Sequence, residues 1–210
     1  MPAPRLFVVA GPNGSGKSLF SKELTESDYE VFDGDKHMAG LTKEFPETGS
    51  EALWSYINEH IFETQKQTAI NSHLNYAFET NFSASDPMAS VREFQKAGYE
   101  VHLIFMGLNS LDESIQRVVH RVRTGGHKVS EESIRYNYDH GFKNLYQYFT
   151  EFNSVTLFDN AIADTEEAVV PKEVLHIVEG TLYLQTDAYL EWVKPIIEAF
   201  DVSEKSLDSQ

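Results

Sequence analysis

The chain has 210 residues, 41% of them hydrophobic and 12% aromatic, with 17 Lys and Arg set against 33 Asp and Glu for a formal net charge of −16. This composition supports one α/β domain and excludes a disordered chain, while the charge repels nucleic-acid backbones and anionic lipid surfaces. Cysteine is absent, which excludes disulfides, thiolate metal sites and a Cys nucleophile.

Residues 5–10 are almost wholly apolar and read as a buried parallel strand. A glycine-rich turn follows, then helical character over 17–24 and a short second strand over 30–33. Residues 49–77 contain few breakers and read as one long helix or two joined, before a third strand over 76–80. Residues 85–96 are helical, with Gly98 as the stop. A strand over 99–106, a helix over 111–123, a Gly125-Gly126 break and a helix capped by Ser130 come next. Residues 154–158 form a further strand. The texture then changes: 174–178 and 181–184 predict a β-hairpin. A closing helix over 187–200 follows, with a kink at Pro195 and a frayed polar tail from Ser203. The expected fold is a P-loop NTPase-like α/β sheet flanked by helices. Residues 1–165 would form the core with a helical lid around 111–149. Residues 166–210 would add a hairpin and helix to the same domain. The first residues lack a signal peptide's apolar stretch and no run approaches the ~20 residues of a membrane span, so a cytoplasmic location is expected.

Gly11, Pro12, Asn13, Gly14, Ser15, Gly16, Lys17 and Ser18 fit G-x-x-x-x-G-K-[ST] at every fixed position. Glycines allow a backbone path whose N–H groups converge on phosphate oxygens, and the following helix adds its positive end. Lys17 is expected to reach the β- and γ-phosphates of ATP or GTP, and the Ser18 hydroxyl to bind Mg²⁺.

Phosphoryl transfer also needs an acceptor side. Asp33-Gly34-Asp35 follows the second predicted strand. These carboxylates could orient an acceptor hydroxyl, take its proton, hold Mg²⁺, or simply cap the next segment; Asp35 is favoured as the base. Glu79, Thr80 and Asn81 end the third strand at the same edge, where Glu79 could bind the acceptor, join the Mg²⁺ shell or cap a helix. Arg121, Arg123, His127 and Arg135 flank the glycine break and could clamp the triphosphate or pair at the surface. Asp159-Asn160 could contact adenine or form a turn.

These blocks together resemble the zeta-toxin family of P-loop kinases, in its compact branch. The resemblance rests on residues 10–18, on Asp33-Gly34-Asp35, on Phe78-Glu79-Thr80 and on residues 98–105. It continues through Arg121-Val122-Arg123-Thr124-Gly125-Gly126-His127, Ile134-Arg135-Tyr136, Asn144-Leu145 and Asp159-Asn160. It implies a sheet and lid like those of nucleotide kinases, and transfer of a γ-phosphate to a small molecule. Typical members phosphorylate the 3′-hydroxyl of the sugar in UDP-N-acetylglucosamine and are silenced by a small antitoxin, so an antitoxin-like partner is implied. By position, Lys17 and Ser18 would serve triphosphate and Mg²⁺, Asp35 would be the base, Glu79 would bind the acceptor, and Arg123 and Arg135 the phosphates. The compact branch usually carries Thr where this chain has Asn81. A second class of function, an ATP-driven switch or ATPase acting through a protein partner, fits the P-loop alone.

Overall fold

The computed structural model describes residues 2–25, 31–124, 129–160, 170–185 and 190–207. Six strands form one sheet in the order β2-β1-β3-β4-β5-β6. They are β1 (Arg5–Ala10), β2 (Tyr76–Thr80), β3 (Glu100–Gly107), β4 (Ser154–Asp159), β5 (Lys172–Val178) and β6 (Thr181–Leu184). The first four pair in parallel. The predicted hairpin adds β5 and β6 antiparallel on the far edge. Alternation along the strands sends Leu6, Val8, Leu103 and Phe105 into the main core, with Phe78 from β2. Val9, Ile104 and Met106 are buried too, and by the same alternation they face the other side.

The helices are α1 (Lys17–Leu24), α2 (Gly34–Glu44), α3 (Ser50–Tyr56), α4 (Glu63–Ser72), α5 (Asp86–Lys96), α6 (Leu111–Arg123), α7 (Glu131–Tyr148) and α8 (Lys194–Leu207). Ser110 and Ser130 cap α6 and α7 through their hydroxyls. Gly98 ends the α5 segment at φ +86.

Three expectations change. Among the described residues, the predicted second strand reduces to one bridge, Phe32 opposite Phe78, with the Phe32 N–H donating to the Ala77 carbonyl at 3.0 Å. Asp33 ends the extension at once, because its carboxylate accepts the Lys36 N–H at 3.2 Å and starts α2. That helix was not foreseen. The predicted helix over 49–77 is continuous from Ser50 to Ser72 but carries a π-helical stretch, Ile57–Phe62, between α3 and α4. Finally, the closing helix begins at Lys194 and runs to Leu207. Pro195 therefore sits in the first turn, where its missing N–H leaves no gap and no kink is needed. The Gly125-Gly126 break, His127 and residues 187–189 lie outside the described residues.

Candidate phosphate and acceptor site

The order β2-β1-β3 makes the carboxyl end of β1 the place where the chain diverges to either side, the usual ligand crevice of an open α/β sheet. The glycine-rich loop occupies it. Gly11, Gly14 and Gly16 have φ of +147, +78 and +89, conformations that side chains disfavour. A Cβ at Gly11 would strike the Met106 carbonyl, and one at Gly16 would meet Asn160 Nδ2 at 2.6 Å.

The loop is braced from outside. Asn160 Nδ2 donates to the Ser15 carbonyl at 2.9 Å. Arg117 donates to the Gly14 carbonyl at 3.2 Å and to the Asn160 carbonyl, and is paired with Glu113 at 2.7 Å. Ser114 donates to the Asn13 carbonyl at 2.6 Å, and Asn137 Nδ2 donates to Asn13 Oδ1 at 2.9 Å. These bonds fix the Asn13, Gly14 and Ser15 carbonyls of the loop from outside.

Lys17 Nζ donates to the Gly11 and Pro12 carbonyls at 2.8 and 3.1 Å and to Asn81 Oδ1 at 3.2 Å. Burial pulls its pKa below the ordinary lysine value, and the charges of Glu79, Asp35 and Asp33 act against that pull. The Ser18 hydroxyl faces Glu79 Oε2 at 2.7 Å and Asp33 Oδ2 at 2.9 Å, and Ser21 donates to Glu79 Oε1 at 2.8 Å. One hydroxyl proton cannot serve two carboxylates at once. Burial, then the neighbouring Asp33 charge, raise the Glu79 pKa. A hydroxyl beside two crowded carboxylates is a hard-oxygen donor set, and it fits a divalent cation such as Mg²⁺.

A cavity of 1030 Å³ joins these groups. Asn13, Gly14, Gly16, Lys17, Ser18, Asp33, Asp35, Glu79, Thr80 and Asn81 all line it. Asp35 lies in the first turn of α2, and the Thr80 hydroxyl accepts the Phe82 N–H at 2.9 Å, shaping the loop after β2. Gly11, Pro12 and Ser15 are buried beneath the cavity wall. Arg123 is exposed and outside the lining. Arg135 is also outside it, 57% exposed and 3.6 Å from Glu131. Arg117 and Arg121 line the cavity instead. Both follow from the helical face of α6: residues 113, 117 and 121 recur every four positions on the side packed against the loop. Trp54 and Asn58 also line the cavity and were not foreseen as site residues.

Comparison with known proteins agrees with this architecture. The AvrRxo1-ORF1:AvrRxo1-ORF2 structure with sulphate ions superposes at TM-score 0.65 with 13% identity, over 88% of this chain and 61% of the matched chain. This protein thus spans less than two thirds of that relative's length. The same complex with ATP gives TM-score 0.64 at 14% identity, over 87% of this chain and 60% of the other. The PezAT toxin–antitoxin system of Streptococcus pneumoniae gives TM-score 0.63 at 14% identity, over 100% of this chain and 88% of that one. An uncharacterized protein of Haemophilus influenzae is 25% identical over 133 residues, covering 61% of this chain and 88% of its own length. The zeta toxin family profile matches residues 1–170. With its P-loop set at the head of β1 in a kinase-like α/β fold, the chain belongs to the zeta toxin family.

Proposed function

We infer that this protein is an ATP-dependent kinase that moves a γ-phosphate to a hydroxyl of a small molecule. The observation that carries the reading is the meeting, in one cavity, of the P-loop Lys17 and Ser18 with the carboxylates of Asp33, Asp35 and Glu79. One solved relative is a complex with ATP, which supports the choice of nucleotide.

Loop N–H groups and the Lys17 ammonium would bind the β- and γ-phosphates and balance the charge that builds on transfer. Ser18, Asp33 and Glu79 would hold Mg²⁺, which supplies charge neutralisation between the phosphates when bound. Asp35 would take the acceptor's hydroxyl proton as that oxygen bonds to the γ-phosphorus and the bond to the β-phosphate oxygen breaks. Arg121 lines the same cavity, near enough for its charge to act on Lys17, and it would face the phosphates.

Incubation of the protein with γ-labelled ATP and a metabolite extract is expected to yield a labelled small molecule. Asp35→Asn should lower that yield by about 10²–10⁴-fold. Release of inorganic phosphate with no labelled acceptor would overturn the kinase reading in favour of an ATPase acting through a partner. The relative PezAT is a toxin–antitoxin system, and an antitoxin-like chain that covers this cavity belongs to the same reading. Co-expression with the product of an adjacent reading frame should then suppress transfer; unchanged transfer in a purified complex would refute that partner.

A further inference from the structure

The two edges of the sheet differ. At the β2 edge the chain pairs with itself: the Phe32 N–H donates to the Ala77 carbonyl at 3.0 Å, and the Phe32 carbonyl accepts the Glu79 N–H at 2.8 Å. At the other edge β6 has a single strand neighbour, β5. Among the described residues, no backbone bond reaches its outer side. Apart from being short, β6 carries none of the devices that blunt an edge. Thr181–Leu184 holds no charge and no proline, and its pairing with β5 runs without a bulge. Two apolar side chains are in view there, Tyr183 at 50% and Leu184 at 41% exposure.

The hairpin turn fixes which backbone groups face outward. Glu179 and Gly180, at φ of +50 and +71, form the two-residue turn. It sets Leu182 opposite Ile177, Tyr183 opposite His176 and Leu184 opposite Leu175. The Gln185 N–H donates to the Val174 carbonyl at 3.1 Å. Hydrogen-bonded positions alternate along an antiparallel ladder, so Tyr183 and Thr181 also direct their N–H and C=O groups at β5. The N–H and C=O groups of Leu182 and Leu184 are therefore directed outward. The side chains alternate as well. Leu182 and Leu184 lie on the face of Ile177 and Leu175, both members of the main core, and Tyr183 lies on the reverse face with His176.

We propose that β6 pairs antiparallel with β6 of a second copy of this chain, about a two-fold axis that passes between the two Tyr183 residues normal to the sheet. In this register Leu182 opposes the partner's Leu184. The outward groups then meet in two hydrogen-bonded pairs of two bonds each, and Tyr183 meets the partner's Tyr183 in the intervening pair, where side chains are closest. The four leucines close the core face across the junction. A shift of one residue would set outward backbone groups against inward ones and leucine against tyrosine faces, so backbone and side chains select the same symmetric register. The net charge of −16 opposes association, but Thr181–Gln185 is uncharged. Glu179, four residues from the axis, stands ~27 Å from the partner's Glu179, well beyond the ~8 Å screening length of physiological salt. Strand β1 lies four strands from β6, ~19 Å away, and the two-fold axis turns the two P-loop cavities to opposite ends of the joined sheet. Both stay open.

The chain has no cysteine, so one introduced thiol reports on the register. In the full-length protein Tyr183→Cys should form a disulfide-linked dimer on mild oxidation, because its paired Cα atoms would lie ~4.5 Å apart, within disulfide reach. Thr181→Cys, two residues from the axis and ~14 Å from its counterpart, should not. Sedimentation equilibrium of the unaltered chain from ~1 µM to ~1 mM should show reversible passage from monomer to dimer. Leu184→Pro removes an outward N–H and leaves the bonds to β5 intact. It should raise the dimer Kd by about 30-fold, the worth of two backbone hydrogen bonds, with ATP-analogue affinity unchanged. Thermal melting checks that the variant folds, and Leu184→Lys, which places a charge on the edge, should also weaken the dimer if the proline is not tolerated. A chain that stays monomeric across the whole range overturns the proposal. So does cross-linking at residue 181 equal to that at 183, or a dimer that neither folded variant weakens.

Discussion

Lys17 and Glu79 are held in surroundings that favour ligand over fold. Burial lowers the Lys17 pKa, and burial with Asp33 raises that of Glu79. A carboxylate whose pKa rises on folding supports the fold while protonated, and that support is lost as pH climbs through the folded value. Glu79 therefore weakens the unliganded protein at neutral pH. Glu79→Gln should raise the melting temperature at pH 7, by about 2–4 °C for each kcal/mol relieved. The gap should close as pH falls below the ordinary carboxylate range, and calorimetry should show weaker binding of Mg²⁺ with ATP. For Lys17 the sign is opposite: its folded pKa is lowered, so its charged form is disfavoured at neutral pH. Lys17→Met should weaken ATP by about 10–100-fold, the worth of charged hydrogen bonds, without lowering the melting temperature. The P-loop was fully legible because its residues are fixed in spacing. Thr80 and Asn81 were legible as an edge, but their partners, the Phe82 N–H and Lys17, arise only from the fold.

At the scale of elements, the loop depends on what lies outside it. Asn160 was legible only as a polar residue after a strand, although it is 7% exposed and tied to Ser15. Asn160→Ala should leave the Ser15 carbonyl unmade and destabilise the protein by about 1–3 kcal/mol, with ATP affinity falling alongside; thermal melting and ATP titration check both. Helix α6 was placed to the residue, since its apolar positions mark it. Its arginines were harder to sort. Arg123 and Arg135 carry the local sequence signal, yet their helix faces turn to solvent, whereas Arg117 has its guanidinium on the loop. Helix α2 escaped notice because Asp33 resembles a turn signal as much as a cap. The π-helical stretch Ile57–Phe62 has no periodic signature, since its apolar spacing is compatible with an ordinary helix.

Across the whole molecule, the parallel core followed from the alternation of strands and helices, its glycine loop from fixed spacing, and the hairpin β5–β6 from its turn. How the C-terminal residues return to the core did not, because they are joined to it by long-range packing. Trp192, Val193 and Ile196 are 6%, 3% and 0% exposed, and Tyr146 donates to the Trp192 carbonyl at 2.9 Å. Truncation before residue 170 should therefore expose the core and give a protein that binds a hydrophobic dye and melts without a sharp transition. A well-folded truncate would contradict this.

The Trp192 indole lies where a side chain at Gly107 would have to stand, at the end of the strand whose Met106 carbonyl abuts Gly11 of the phosphate loop. A ribosome making this protein thus produces the nucleotide-gripping half long before the tryptophan that seals the strand beneath it. Nascent chains released on either side of residue 192 should therefore differ in how well they retain ATP.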